Sequence, residues 1–240
     1  MKYFHMISQN LFFKTTLVII IFINAISCDN NLIKENPYEL EIISEISDYK
    51  ELVLTNPDKE LIDLEKFIPD IVLDIRYAGK NNFTGEIIYK AAKAYLRKPA
   101  AIALLNVQNE LKTRGLEIKV FDAYRPYAAT VKFYQVYPDT IFVAAPWRGS
   151  VHNRACAVDL TLIDIRTGDE FEMPTPFDDF TKKASHDYMD LSEKVINNRK
   201  ILHDIMVKHG FTIYKNEWWH YDFKDFKSFE LMNIYFEELD

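Results

Sequence analysis

The 240-residue chain is 48% hydrophobic and 14% aromatic, enough to bury a substantial core in one domain. A net charge of −7 argues against a nucleic-acid partner, which would need a basic face. Charges of both signs are interspersed, with no charged tail, internal repeat or long low-complexity tract.

The first residues differ in kind from the rest. Lys2, His5 and Lys14 precede an apolar run over 17–26, followed by Ser27 and Cys28. A basic start, a short apolar stretch and a small residue before the break describe an export signal. The run falls short of the roughly 20 apolar residues of a membrane-spanning helix. Ala25-Ile26-Ser27-Cys28 has the pattern of a bacterial lipoprotein cleavage box, in which Cys28 becomes the lipidated N-terminus and anchors the protein to a membrane. The alternative is an ordinary cleaved signal with an incidental cysteine. Residues 1–28 are therefore read as a signal, 29–55 as a polar tether and N-terminal segment, and 56–240 as the functional domain. Cys28 and Cys156 are the two cysteines, so lipidation of Cys28 leaves no intramolecular disulfide. Cys156 then reads as a small buried hydrophobe.

Along the domain, 71–77 has strand character and 81–85 reads as a loop. Residues 93–114 carry an apolar stripe at helical spacing, with Gly115 as the stop. Residues 116–121 alternate as a strand does, and 127–137 is read as a helix. The run 157–163 is a strand with Val158, Leu160 and Leu162 on one face, leaving Asp159 on the other with Ala157 and Thr161. A helix over 193–209 ends at Gly210, and 211–214 and 218–223 close the pattern as two strands. Helices and strands mix without regular βαβ alternation. The expected class is α+β, a single domain with a small, mostly antiparallel sheet packed against helices.

A carboxylate such as Asp159 opposite a row of Val and Leu needs a partner or solvent. Alone it reads as a hydrogen-bonded structural acid, and His152 alone as a satisfied histidine. Glu217-Trp218-Trp219-His220 adds a second histidine and a second carboxylate. In a regular strand Glu217 and His220 would face opposite ways, so they converge only if Glu217 lies in the turn before the strand. His152, Asp159 and His220 together make a catalytic zinc set at the sheet, with a fourth tetrahedral position open. Glu217 is placed to take a proton from water, and Arg125 to supply positive charge where an oxyanion develops. His186, His203 and His209, in a polar loop and on a helix, read as solvent-facing or hydrogen-bonded. Trp218 and Trp219 read as core and pocket wall.

The segments Ser150-Val-His-Asn-Arg-Ala-Cys-Ala-Val-Asp159, Asp122-Ala-Tyr-Arg-Pro126 and Glu217-Trp-Trp-His-Tyr221 resemble the zinc D-alanyl-D-alanine dipeptidases of the vancomycin-resistance type. Asp74-Ile-Arg-Tyr77 with Asn82-Phe-Thr-Gly85, Met173 through Phe180, and Asn198-Arg199 through Gly210-Phe211 extend the resemblance to roughly 65–225. The resemblance implies one zinc ion on His152, Asp159 and His220, with Glu217 as general base and Arg125 stabilising the tetrahedral intermediate. It implies substrate contact by Ser150 and capture of the substrate ammonium group by Asp178, with Asp179 as the adjacent alternative. Ala155 stands where the family has glycine; if the backbone there needs a positive φ, alanine costs about 1 kcal/mol. The expected activity is hydrolysis of a small D,D-dipeptide by an exported, lipid-anchored enzyme. The alternatives are a D,D-carboxypeptidase acting on peptidoglycan stems, a catalytically silent zinc-binding module, and a metal-free scaffold lipoprotein. A purely structural zinc would require neither Glu217 nor Arg125.

Overall fold

A computed structural model describes residues 36–239. The export signal, Cys28 and the first part of the tether lie outside them. Among the described residues, no helix is long and apolar enough to cross a membrane.

The fold is α+β, as expected. In chain order its elements are β1 (Ile42–Ile43), α1 (Ile46–Thr55), β2 (Leu61–Asp63), α2 (Leu64–Phe67), β3 (Val72–Leu73), β4 (Tyr95–Arg97) and α3 (Lys98–Lys112). There follow β5 (Leu116–Asp122), α4 (Tyr127–Val136), β6 (Ala157–Asp164), α5 (Glu193–Lys208), β7 (Phe211–Ile213), β8 (His220–Phe223) and β9 (Leu231–Met232). The main sheet runs β3-β5-β6-β8-β7 and is antiparallel except for the β3–β5 pair. Helix α3 packs on β5, α5 on β7, and the two helices on each other.

Strand β6 explains why the site sits where it does. All its residues but the last are buried. Val158, Leu160 and Leu162 share one face with Ile118, Val120 and Tyr221, their partners across the ladder. The other face carries Asp159 opposite His220, and Ala157 opposite Asp222. The register of β5 slips between Val120 and Asp122, so that Asp122 pairs with Asp159. Without that bulge Asp122 would follow Ile118 and Val120 onto the apolar face; the extra residue turns it to the polar one.

Three segments depart from the sequence reading. The N-terminal segment taken as tether is folded from Ile42 on: β1 pairs in parallel with β9, and the Tyr49 hydroxyl on α1 accepts from the Leu61 amide at 2.8 Å. Its Ile42, Ile43, Ile46 and Tyr49 supply enough apolar surface to dock despite the surrounding acids. The expected helix over 93–114 begins only at Lys98. Pro99 falls in the first turn of α3, where its missing amide costs no intrahelical bond, and residues 95–97 pair instead with β2. The expected strand over 71–77 is a strand only at Val72–Leu73, and it tightens into a 3-10 turn at Arg76–Ala78.

Candidate active site

His152 begins a 3-10 turn, His152–Arg154, that leads into β6. Ala155 closes the turn in the left-handed region (φ 55°, ψ 38°) and is fully buried, so the strain anticipated for a non-glycine residue is present. Asn153 knots the turn to its surroundings. Its Oδ1 accepts from the Ser150 amide at 2.7 Å, and its Nδ2 donates to the Arg125 carbonyl at 2.9 Å and to Thr130 Oγ1 at 2.8 Å. The Arg125 amide in turn donates to the His152 carbonyl at 3.1 Å. One buried amide side chain thus registers the His152 turn against the Arg125 segment.

Three atoms converge above β6. His152 Nε2, Asp159 Oδ1 and His220 Nδ1 lie 3.2, 3.0 and 3.4 Å apart, in the pairs His152–His220, Asp159–His220 and His152–Asp159. The edge of a tetrahedron with zinc–nitrogen bonds of ordinary length is about 3.3 Å. The hydrogen bonds behind the two rings fix their tautomers. His152 Nδ1 lies 2.6 Å from the Ala123 carbonyl and His220 Nε2 lies 2.9 Å from Asp222 Oδ1, both acceptors, so each of these nitrogens carries the proton. In the neutral rings, lone pairs of Nε2, Nδ1 and Oδ1 then face one point, an arrangement that calls for a cation. The surrounding charge favours a cation at this point. Burial works against an imidazolium at His220, yet Asp222 and Asp159 outweigh it and hold its pKa well above the ordinary value, so without a metal the ring itself carries the positive charge that a bound cation would replace. Burial likewise opposes the Asp159 carboxylate, but His152 and His220 prevail and lower its pKa. Among the described residues this is the one group of three or more such side chains that could hold a metal ion.

The remaining expected residues line the same cavity of about 230 Å³: Arg125, Ser150, Asp178 and Glu217 join His152, Asp159 and His220 there. Glu217 sits in the connection before β8, as its convergence with His220 requires, with Oε2 at 3.9 Å from His220 Nδ1. Burial pushes its carboxyl up to about 8, with His220 pulling it back down. Arg125 sends Nε and Nη2 to Asp122 Oδ2 at 3.0 and 2.8 Å, and its guanidinium lies over the rings of Tyr77 and Phe133. Burial disfavours its charge, but Asp122 overrides this and keeps its pKa well above normal. The Ser150 hydroxyl accepts from the His152 amide at 3.2 Å. Asp178, rather than Asp179, lines the cavity; it adopts φ 62° and accepts from the Tyr77 hydroxyl at 3.1 Å. Burial, then the negative charge of Asp159, pushes the Asp178 carboxyl up to about 8.

Asp222, Asp122, Tyr77 and Asn153 hydrogen-bond to these candidate residues and are not singled out by the sequence. Asp222 was signalled by its spacing, two residues after His220 on one strand face. Asp122 required the bulge, which nothing in the local sequence marks. The other described histidines lie outside the cavity: His203 pairs with Asp204 and His209 with Glu110, while His186 is half-buried beside Tyr221. Cys156 is fully buried, and burial raises its thiol to about 12, which suits an inert core residue. Trp219 forms cavity wall and Trp218 is buried, with its Nε1 donating to Thr175 Oγ1 at 3.0 Å.

The chain is similar to several known proteins. Residues 57–237 match the peptidase M15 family profile, described as D-ala-D-ala dipeptidase. The chain is 34% identical over 173 residues to a D-alanyl-D-alanine dipeptidase of Escherichia coli strain K12, covering 72% of this chain and 89% of that one. It is 28% identical over 182 residues to a D-alanyl-D-alanine dipeptidase of Enterococcus faecalis, covering 68% and 90%. A weaker likeness, at a TM-score of 0.40 and 22% identity over 70% of this chain and 69% of the other, is to a solved LdcB LD-carboxypeptidase. On the extent of the profile match and the identity to the Escherichia coli enzyme, the chain belongs to the peptidase M15 family of D-ala-D-ala dipeptidases.

Proposed function

We propose that the protein hydrolyses D-alanyl-D-alanine and similar small D,D-dipeptides, with one zinc ion held by His152, Asp159 and His220. The observation that carries this reading is the convergence of that donor triangle with Glu217, Arg125 and Asp178 in one cavity of about 230 Å³. Zinc bound by three protein ligands supplies Lewis acidity and makes water a nucleophile near neutral pH. Glu217 takes the proton of the attacking water and returns it to the leaving amine; a carboxyl raised by burial has the basicity for both transfers near neutral pH. Arg125 has Nε and Nη2 committed to Asp122, which holds the guanidinium in place to face negative charge developing on the carbonyl oxygen. His152 and His220 keep their lone pairs inward because Ala123 and Asp222 hold the outer protons. Asp178 takes the substrate ammonium group, whose positive charge restores the carboxylate that burial disfavours. Ser150 borders the substrate beside His152.

The substrate class is tested by comparing kcat/KM on D-Ala-D-Ala, N-acetyl-D-Ala-D-Ala and a stem pentapeptide ending in D-Ala-D-Ala. The free dipeptide is expected to be preferred over the acetylated one by at least about 100-fold, because acetylation leaves Asp178 unpaired in a buried site. Preference for the pentapeptide would make the protein a D,D-carboxypeptidase. Bound zinc with no cleavage of any of the three would make it a silent zinc-binding module.

We further propose export and attachment to a membrane through lipidated Cys28. The support is the basic start, the apolar run over 17–26 and the residues 25–28. Incorporation of labelled fatty acid that persists in Cys28→Ser would contradict the lipid anchor.

A further inference from the structure

Charges lining the cavity pair off with one another, with two exceptions. Asp159 faces His152 and His220, Asp222 holds His220, Glu217 lies by His220, and Arg125 is bound to Asp122. Asp178 has a hydroxyl partner, Tyr77, but no cation within ion-pair distance among the described residues. Arg148 also lines the cavity, and among the described residues its guanidinium makes no ion pair or hydrogen bond. The cavity therefore presents one uncompensated carboxylate and one uncompensated guanidinium. That is the complement of a small zwitterion.

The backbone under Arg148 is held. Its amide donates to the Ala145 carbonyl at 2.9 Å, and the Gly149 amide to the Pro146 carbonyl at 3.2 Å. Pro146 O accepts in addition from the Tyr127 hydroxyl at 2.9 Å. Gly149 adopts φ 72°, and a Cβ there would lie 2.7 Å from Leu231, so the turn is pressed against β9. Trp147 packs edge-on against Tyr38 and Tyr134. Arg148, two residues before Ser150 and four before His152, is thus an exposed arginine on a held turn that lines the site.

We propose that Arg148 binds the C-terminal carboxylate of the dipeptide, so that Asp178 and Arg148 together select a substrate with both ends free. A planar guanidinium matches a carboxylate in two parallel hydrogen bonds, which amide- or ester-capped substrates cannot accept in the same way. Arg148 is a specificity residue in this assignment: it holds a part of the substrate that does not react. The inference rests on the proposed dipeptidase reading, and its test separates the two.

Kinetics on D-Ala-D-Ala and its C-terminal amide are compared for wild type and Arg148→Gln, with Arg148→Lys as the charge-retaining variant. In the wild type the free acid is expected to have a KM about 10- to 100-fold below that of the amide. In Arg148→Gln the KM for the free acid rises to the level of the amide, kcat stays within about threefold, and the amide kinetics do not move; Arg148→Lys falls between. Calorimetric binding of the same two ligands to zinc-loaded Glu217→Ala, with and without Arg148→Gln, gives a readout independent of turnover. Loss of the acid-over-amide preference in the double variant supports the assignment even if the wild type releases no D-alanine, an outcome that would remove the dipeptidase reading alone. Equal preference with and without Arg148, or no preference for the free acid in either protein, overturns it.

Discussion

Asp222→Ala isolates how the fold would prepare His220 as the proposed zinc ligand. The Asp222 carboxylate accepts from His220 Nε2 at 2.9 Å, while His220 Nδ1 faces Asp159 at 3.0 Å. Removing the carboxylate frees the ring to take the tautomer with its proton on Nδ1, the atom needed for the metal. It also withdraws a negative charge that favours a cation at the ring. A hydrogen bond of this charge-assisted kind is worth about 1.5–3 kcal/mol. Losing such an outer partner weakens metal binding by about 10- to 100-fold, or about 1.4–2.7 kcal/mol. Asp222→Asn keeps an acceptor at the same place but loses the charge, so its affinity should lie between those of wild type and Asp222→Ala. Competition for zinc against a chromogenic chelator, at constant pH and salt, measures all three proteins. Zinc held by Asp222→Ala as tightly as by the wild type would refute the claim that this hydrogen bond sets the ligand tautomer.

Glu217→Gln should retain zinc stoichiometry and lose kcat by about 100-fold or more, since the proposed proton acceptor is gone and none of the three proposed metal ligands is touched; near-wild-type turnover would remove Glu217 from the proposed role. Asn153→Ala deletes three buried hydrogen bonds of 2.7, 2.9 and 2.8 Å and strands the Ser150 amide. Its cost is about 2–4 kcal/mol, a fall in Tm of about 5–15 °C by calorimetry; a fall under about 2 °C would show that the knot carries little. His186 titrates near 4 in the fold, against its ordinary 6.5, because burial and then His203 and Arg199 oppose its charge. The unfolded chain thus binds the proton first as pH falls, so the contribution of His186 is complete above about pH 6.5 and is lost towards pH 4, by about 1–3 kcal/mol. Urea unfolding at pH 7.5 and pH 5 should show a smaller acid-induced loss in His186→Gln than in the wild type; an equal loss in the two proteins contradicts the assignment.

Much of the site was readable because its residues occupy regular positions. Asp159 faces away from Val158, Leu160 and Leu162 by the two-residue period of β6, and Glu217 had to precede β8 for the same reason. What could not be read depends on contacts distant in sequence. The bulge that turns Asp122 towards Asp159 is a property of the β5–β6 pairing, and the knot at Asn153 joins segments more than 20 residues apart. Residues 95–97 continue the apolar pattern of α3 and become a strand only because β2 lies beside them. The acidic composition around Ile42 concealed a strand whose partner, β9, lies near the other end of the chain. The left-handed Ala155 shows the reverse case, where knowledge of the residue usual at a position located the backbone strain in advance.

The most direct test of the account is release of D-alanine from D-Ala-D-Ala by the purified protein after chelation, and again after zinc is restored. No release is expected from the stripped protein and full recovery at one zinc per chain, with neither recovery nor tight zinc binding in a His152→Ala, His220→Ala double variant. Undiminished hydrolysis by the stripped protein, or zinc-restored hydrolysis in the double variant, would contradict it.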